Sequence, residues 1–273
     1  ENYNKIPAVW IWERIVQRFR SRTAGGTKEL LGYMEGSFHT FNEKLLETIK
    51  LKGANIFLNS SVEEIVIENN ECKGLLVNQE FKKYDAVVCT AALPVFVNLC
   101  KNAPESYLAP LRKIEYDCAL VMLATTNKKL SNYYWLNISD NSIPFGGLIE
   151  HTNLIPSDCY SGKTILYFSK YLSVHDELLK KSDEEIKTIY LSYLTKIYPD
   201  FNESDIDEYV ISRDRYAQPI WPMRYSKIKP QYKTPIKNLF LSNTSQIYPN
   251  DRGMNFSVKL GKEVAEVIRS EYL

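Results

Sequence analysis

The segment 84–90 (YDAVVCT) constrains the fold more than any other stretch of this 273-residue chain. Its apolar residues run consecutively behind an acidic leader, the pattern of a strand buried on both faces. A second short strand of buried type, 238–242 (NLFLS), lies near the C-terminus. Between and before them the periodicity changes. Residues 113–124 alternate Ile114, Tyr116, Cys118, Leu120 and Met122, as a half-buried strand should, and 164–171 (TILYFSKY) is a further strand. Short strands are also expected at 55–58, 62–68 and 74–78, the last reached through an Asn69-Asn70 turn.

Helical spacing governs four other segments. Trp12, Ile15, Val16 and Phe19 make 8–20 an amphipathic helix that ends before Gly25-Gly26. Phe41, Leu45, Leu46 and Ile49 predict a helix from 37 or 40 to 52, stopped by Gly53. Ser182 caps three first-turn carboxylates, Asp183, Glu184 and Glu185, opening a helix that Pro199 terminates. The last helix, 256–269, should turn Val258, Leu260, Val264 and Ile268 inward. Helices mixed with short apolar strands place the chain in the α/β or α+β class.

Composition excludes several functions. With 34 Lys+Arg against 33 Asp+Glu there is no basic surplus of the kind nucleic-acid binders carry, and 44% hydrophobic residues argue against disorder. No run approaches the roughly 18 apolar residues of a transmembrane segment. The first residues lack a signal-peptide layout, and five widely spaced cysteines without a CxxC argue against a disulfide framework or zinc site. A cytoplasmic location is therefore expected. The chain begins with Glu1, not Met, so a processed chain or part of a longer one is expected too.

Familiar catalytic signatures are absent: there is no GxSxG, HExxH, P-loop or calcium loop. His39, His151 and His175 are scattered, and His39 draws interest only by following Gly36 at a helix start. In the segment 238–268, a buried strand leads through YPNDRGMN into a helix. Gly253 there either lets a ligand approach first-turn N–H groups or simply permits a tight turn.

Two stretches resemble the flavin-dependent amine oxidase superfamily, which includes protoporphyrinogen oxidase-like and phytoene desaturase-like enzymes and is similar in fold to UDP-galactopyranose mutase. The family pattern GG…L…L…G..I..N..V..I is filled by Gly36, Leu45, Gly53, Ile56, Asn59, Val62 and Ile65, with Glu35 replacing the first glycine. The family's DAVV.TAP strand matches 85–94, and the closing NLFL…YP.DRGMN is similar to its final flavin-binding element. The resemblance implies a partial FAD-binding Rossmann-like domain, residues 32–104 and 226–273. Inserted beside it would be a substrate domain with a mixed or antiparallel sheet and helices, residues 1–31 and 105–225.

It also implies cofactor contacts from Val62, Ser242, Asn243, Arg252, Gly253, Met254 and Asn255. Val62 would offer its backbone to the adenine, and 253–255 would direct N–H groups to the pyrimidine end of the flavin. Ser242 and Asn243 stand where the family usually has Gly and an acidic residue. The family's opening strand–GxGxxG–helix unit is missing, since only Gly25-Gly26 and Gly146-Gly147 are adjacent and neither has that context. A fragment is therefore expected, with weak or no FAD binding by these residues alone.

Arginines interleave with aromatic residues in 209–225, so Tyr216, Trp221, Arg224 and Tyr225 either meet a small-molecule substrate, a sugar nucleotide or an aromatic compound, or form an aromatic-rich domain junction with solvated arginines. The expected activity is hydride transfer from that substrate to flavin. The alternatives are a flavin-dependent sugar-nucleotide mutase and a non-catalytic binding domain derived from the family.

Overall fold

The computed structural model describes residues 6–22 and 32–272. The pair Gly25-Gly26 lies outside them. The chain divides into two compact units. One comprises the chain up to Ile114 together with the chain from Trp221 onward, and the other is Glu115–Ile220. The second unit is thus an insertion in the first.

In the interrupted unit, α1 (Ala8–Arg20) and α2 (Ser37–Leu51) form where the apolar spacing predicts. Gly36 caps α2 at φ 75°, and a Cβ there would lie 2.3 Å from the Thr40 hydroxyl, so glycine is required on both counts. β1 (Val62–Glu68), β2 (Glu71–Val77) and β3 (Glu80–Lys83) make an antiparallel meander whose first turn uses Asn69 and Asn70 at positive φ. β4 (Val87–Cys89) follows, then α3 (Leu93–Leu99) and α4 (Glu105–Arg112). α3 packs on α4 and β1 and buries Leu93, Phe96 and Val97.

The inserted unit is a five-stranded antiparallel sheet backed by a helix. Its strands are β5 (Tyr116–Thr126), β6 (Trp135–Asn137), β7 (Gly147–Glu150), β8 (Thr164–Ser173) and, after α5 (Asp183–Ile197), β9 (Ile206–Pro219). The spatial order is β6-β7-β8-β5-β9. β5 alternates without exception, sending Cys118, Leu120, Met122 and Ala124 into a core shared with Phe145, Leu166, Phe168, Ile186, Tyr190 and Leu194. Burying one such large side chain is worth about 1.5–3 kcal/mol. Ser182 and Glu185 close a reciprocal capping box on α5, which accounts for the acidic triplet as helix-end chemistry.

The chain then returns to the first unit. β10 (Leu239–Leu241) pairs in parallel with β4, Leu239 opposite Val87 and Leu241 opposite Cys89, and α6 (Met254–Tyr272) ends the fold.

Three expectations need correction. Residues 55–58 form no strand, and Phe57 and Leu58 are 69% and 81% exposed. No strand among the described residues lies beside them, and an unpaired strand leaves its backbone groups without ladder partners. β4 is not buried on both faces, because Val88 is exposed in a sheet of two strands. In α6, Leu260 and Val264 face the core but Val258 is 44% exposed. Among the described residues no helix is long and apolar enough to cross a membrane.

His151, at the end of β7, is buried beside Tyr134, Tyr160 and Tyr167, with Nε2 2.7 Å from the Tyr160 hydroxyl. Burial lowers its pKa from 6.5, so the folded chain resists a proton that the unfolded chain accepts. Its contribution to stability is full above about pH 6.5 and is lost as pH falls below that value. Thermal unfolding should therefore occur at a lower temperature at about pH 5.5 than at about 7.5. The difference should shrink in His151→Gln, and a variant that keeps all of it would show that other groups cause it.

Candidate functional site

The two parallel strands of the interrupted unit end side by side. In an open α/β sheet, ligands gather at the carboxyl ends of strands, so the residues following Cys89 and Leu241 are the first place to look. Ser242 donates its backbone N–H to the Cys89 carbonyl at 2.9 Å, extending the ladder by one residue. Asn243 then locks the turn. Its Nδ2 donates to the Ala91 carbonyl at 2.7 Å, and its Oδ1 accepts from the Ser245 N–H and hydroxyl. Gln246 reciprocates by accepting the Asn243 N–H. Asn243 is 5% exposed, and both polar ends of its side chain are engaged in joining the two strand ends.

Beyond this turn the chain runs through 247–253 into α6. Tyr248 packs edge-on against Trp221 and Tyr225 at 5.9 and 5.2 Å between ring centroids, and the Tyr225 hydroxyl donates to the Ser245 carbonyl. From α1, Arg14 pairs with Asp251, and Gln17 donates to Asn250 at 2.6 Å. An aromatic cluster and a helix thus both fix the loop that delivers Gly253, Met254 and Asn255 to the start of α6. Ser257 N–H makes the first helical bond, to the Gly253 carbonyl, so the N–H groups of Met254 and Asn255 precede the helical ladder. Met254 and Asn255 are exposed and Gly253 is half-buried. A Cβ on Gly253 would stand 2.7 Å from the end of the Asn255 side chain, which would have to turn aside. Arg252 is half-buried beside Asp251, whose carboxylate accepts its backbone N–H.

The sequence-predicted residues do not all fall together. Ser242, Asn243 and 252–255 belong to the strand ends and the loop just described, while Val62 begins β1 opposite Val77. Trp221 and Tyr225 are buried in the same unit as the loop, whereas Arg224 is exposed at φ 63°. Tyr216 sits in the inserted unit, edge-on to Tyr116 at 5.8 Å. Arg213 is held by Asp183 at 2.6 Å and by the Lys181 carbonyl, so its charge is already engaged. His39 lies exposed on α2 against Glu43.

Sequence reasoning missed the second face of the inserted sheet. Opposite the core face, β5 presents Ala119, Val121 and Leu123, paired with Tyr171, Ser169 and Tyr167 of β8 and with Asp214, Ser212 and Val210 of β9. Gly147 and Ile149 of β7 continue the face to Trp135 on β6. A Cβ on Gly147 would meet the Ser169 hydroxyl at 2.9 Å and the Trp135 ring at 3.4 Å. The result is a shelf of mostly small and aliphatic residues, with Asp214 and Ser212 on its β9 edge, bordered by Trp135 and Tyr171, which are 52% and 57% exposed. The signal was present in β5, whose out-facing positions are apolar where a solvated face would be polar.

Nucleophilic and metal chemistry find little support. Burial raises the thiols of Cys72, Cys89 and Cys118 and pushes Cys100 up to about 12, which keeps them protonated. No cluster of His, Cys, Asp and Glu suited to a metal exists among the described residues. Asn243→Ala removes the amide that bridges the strand ends and the cap at Ser245. It should cost about 1–3 kcal/mol in urea unfolding, and Asn243→Asp should not rescue it, because its carboxylate would face the Ala91 carbonyl in a buried site.

Residues 14–269 match the profile of the flavin containing amine oxidoreductases. Over 162 residues the chain is 30% identical to a 4,4'-diapophytoene desaturase (4,4'-diaponeurosporene-forming) of Staphylococcus haemolyticus, covering 56% of this chain and 31% of the desaturase. An oxidoreductase from Methanosarcina mazei superposes with a TM-score of 0.69 at 19% identity, over 97% of this chain and 60% of that one. A protein from an Exiguobacterium species, provisionally named a protoporphyrinogen oxidase, gives 0.71 at 17% identity, over 86% and 51%. The chain thus spans under a third of the curated relative and somewhat over half of these two structures. The fold is that of the flavin oxidoreductases, and the chain belongs to the flavin containing amine oxidoreductase family.

Proposed function

We propose that this chain works in an FAD-dependent oxidoreductase that takes hydride from a small-molecule substrate. The observation that supports this best is the donor set at the start of α6. The N–H groups of Met254 and Asn255 lie outside the helical ladder, on exposed residues, with the helix dipole behind them. That set suits the pyrimidine end of a flavin, where negative charge grows on reduction. FAD, when bound, supplies the hydride acceptor.

The residues of this chain would hold and orient it. Gly253, Met254 and Asn255 stabilise charge at the pyrimidine end, Arg252 stands beside them, and Val62 offers backbone to the adenine. Ser242 and Asn243 contribute by shaping the strand ends, since the Asn243 side chain is committed to Ala91 and Ser245. On this reading the unit containing β4, β10 and α6 carries the flavin, and the inserted unit carries the substrate. The open sheet face favours a flat unsaturated or aromatic substrate over a sugar nucleotide, because β5 lines it with Ala119, Val121 and Leu123 and its β9 edge adds the acidic Asp214, which would repel a phosphate. Tyr216 lies in that substrate unit. Trp221 and Tyr225 act through the loop they brace, and Arg224 is exposed to solvent.

FAD titration followed by flavin absorbance and fluorescence tests the proposal. No strand–GxGxxG–helix unit is present in these 273 residues, so the chain alone should bind weakly or not at all. A longer form carrying such a unit should bind, and one that carries it without binding flavin would defeat the reading. In the binding form, Met254→Pro deletes one first-turn N–H at a position where helices tolerate proline. It should weaken flavin about tenfold while leaving helical circular dichroism unchanged.

A further inference from the structure

α1 is attached to its unit by its polar side. Trp10, Arg14 and Gln17 lie on one face, and Arg14 and Gln17 reach Asp251 and Asn250 in the loop that leads to α6. Along the same side, Arg14, Gln17, Arg18 and Ser21 line a cavity of about 230 Å³.

Two buried donors here have no acceptor: the indole Nε1 of Trp10 and the guanidinium Nε of Arg14. They are one turn apart, and the Arg14 guanidinium stacks on the Trp10 ring at 4.4 Å. A buried N–H without a partner is costly, and such groups are ordinarily satisfied by protein, water or a ligand. The charge of Arg14 is shared with the Asp251 carboxylate, while Arg18 makes no ion pair with any described residue. Glu13, the acidic residue of α1, lies about 100° around the helix from Arg14. Arg14 lines the cavity with Trp10 stacked against it, and the lining carries net positive charge from Arg18.

We propose that this cavity binds an oxyanion, a carboxylate or phosphate group, beside the loop that leads to α6. Guanidinium forks are built for such groups, and a stacked, loop-anchored Arg14 is oriented before the ligand arrives.

The test is an NMR titration of the flavin-free chain with inorganic phosphate, and separately with acetate, at constant ionic strength. It follows the indole and arginine Nε–H resonances, with Trp10→Phe assigning the Trp10 signal. We expect a saturable shift of the Trp10 indole, weakened about fivefold or more in Arg18→Gln and less in Arg18→Lys. A response to phosphate alone identifies a phosphorylated group, and a response to acetate alone a carboxylate. No saturable shift with either ion, or equal binding in wild type and Arg18→Gln, overturns the proposal. Anion binding that survives when the longer form fails to bind FAD defeats the flavin reading only. FAD binding without any anion response defeats this site only.

Discussion

The parallel pairing of β4 with β10 is the contact on which the rest of the molecule depends. It joins residues near 88 to residues near 240, and the whole inserted unit lies between them in sequence. Three ladder pairs are a small return for closing so long a loop, whose entropic cost grows with the logarithm of its length. The pairing holds because it is reinforced at both ends. Asn238 sits at φ 63°, its carbonyl accepting from Val87 N–H and its amide donating to Glu71, which ties the lower end to the meander. Asn243 and Gln246 close the upper end with side-chain bonds that are buried and complete. The inserted sheet with its own helix and core also shortens the effective loop, since it folds around local contacts between β5, β8 and β9.

That arrangement explains the uneven character of the strand ends. Ser242 and Asn243 stand where a flavoprotein of this family ordinarily spends a glycine and an acidic residue on the cofactor, yet here they are 6% and 5% exposed and Asn243 is engaged internally. The donors left open are those of the following loop and the first turn of α6. Stability and ligand chemistry are thus divided between two adjacent stretches. The short buried β10 and its Asn243 turn hold the chain, and on the proposed reading the 252–255 segment, exposed at Met254 and Asn255, is what would bind.

Much of the fold could be read from the residues because its signals are local. The alternation in β5, the Ser182–Glu185 box and the Asn69-Asn70 turn each specify their element without reference to anything distant. What the sequence did not reveal depends on partners. Residues 55–58 have strand composition, but strand formation needs a neighbour and none among the described residues supplies one. Val88 belongs to an apolar run, but its burial needs an element packed over that face of the sheet, and it is 37% exposed. The candidate site was legible in the same graded way. Gly253 through Asn255 were marked by their place between strand and helix. The apolar second face of the inserted sheet needed the register of β5 against β8 before Ala119, Ser169 and Gly147 could be seen as one surface.

α1 shows why periodicity alone cannot finish such an argument. An apolar stripe at helical spacing says that two sides of a helix differ, and the usual inference is that the apolar side faces the core. Here Ile11, Trp12, Ile15 and Phe19 are 44–64% exposed, while Arg14 and Gln17 turn toward the 248–253 loop. Polar contacts won because the loop offers an aspartate and an asparagine at the right spacing: Arg14 to Asp251 and Gln17 to Asn250, three residues apart on one helix face. A helix fastened by its polar side places its donors, and not its methyl groups, next to the segment that begins α6. That inversion is why a stretch with a strong apolar stripe ends up bonded through Arg14 and Gln17 to the loop that leads into α6, a contact that its apolar spacing gave no reason to expect.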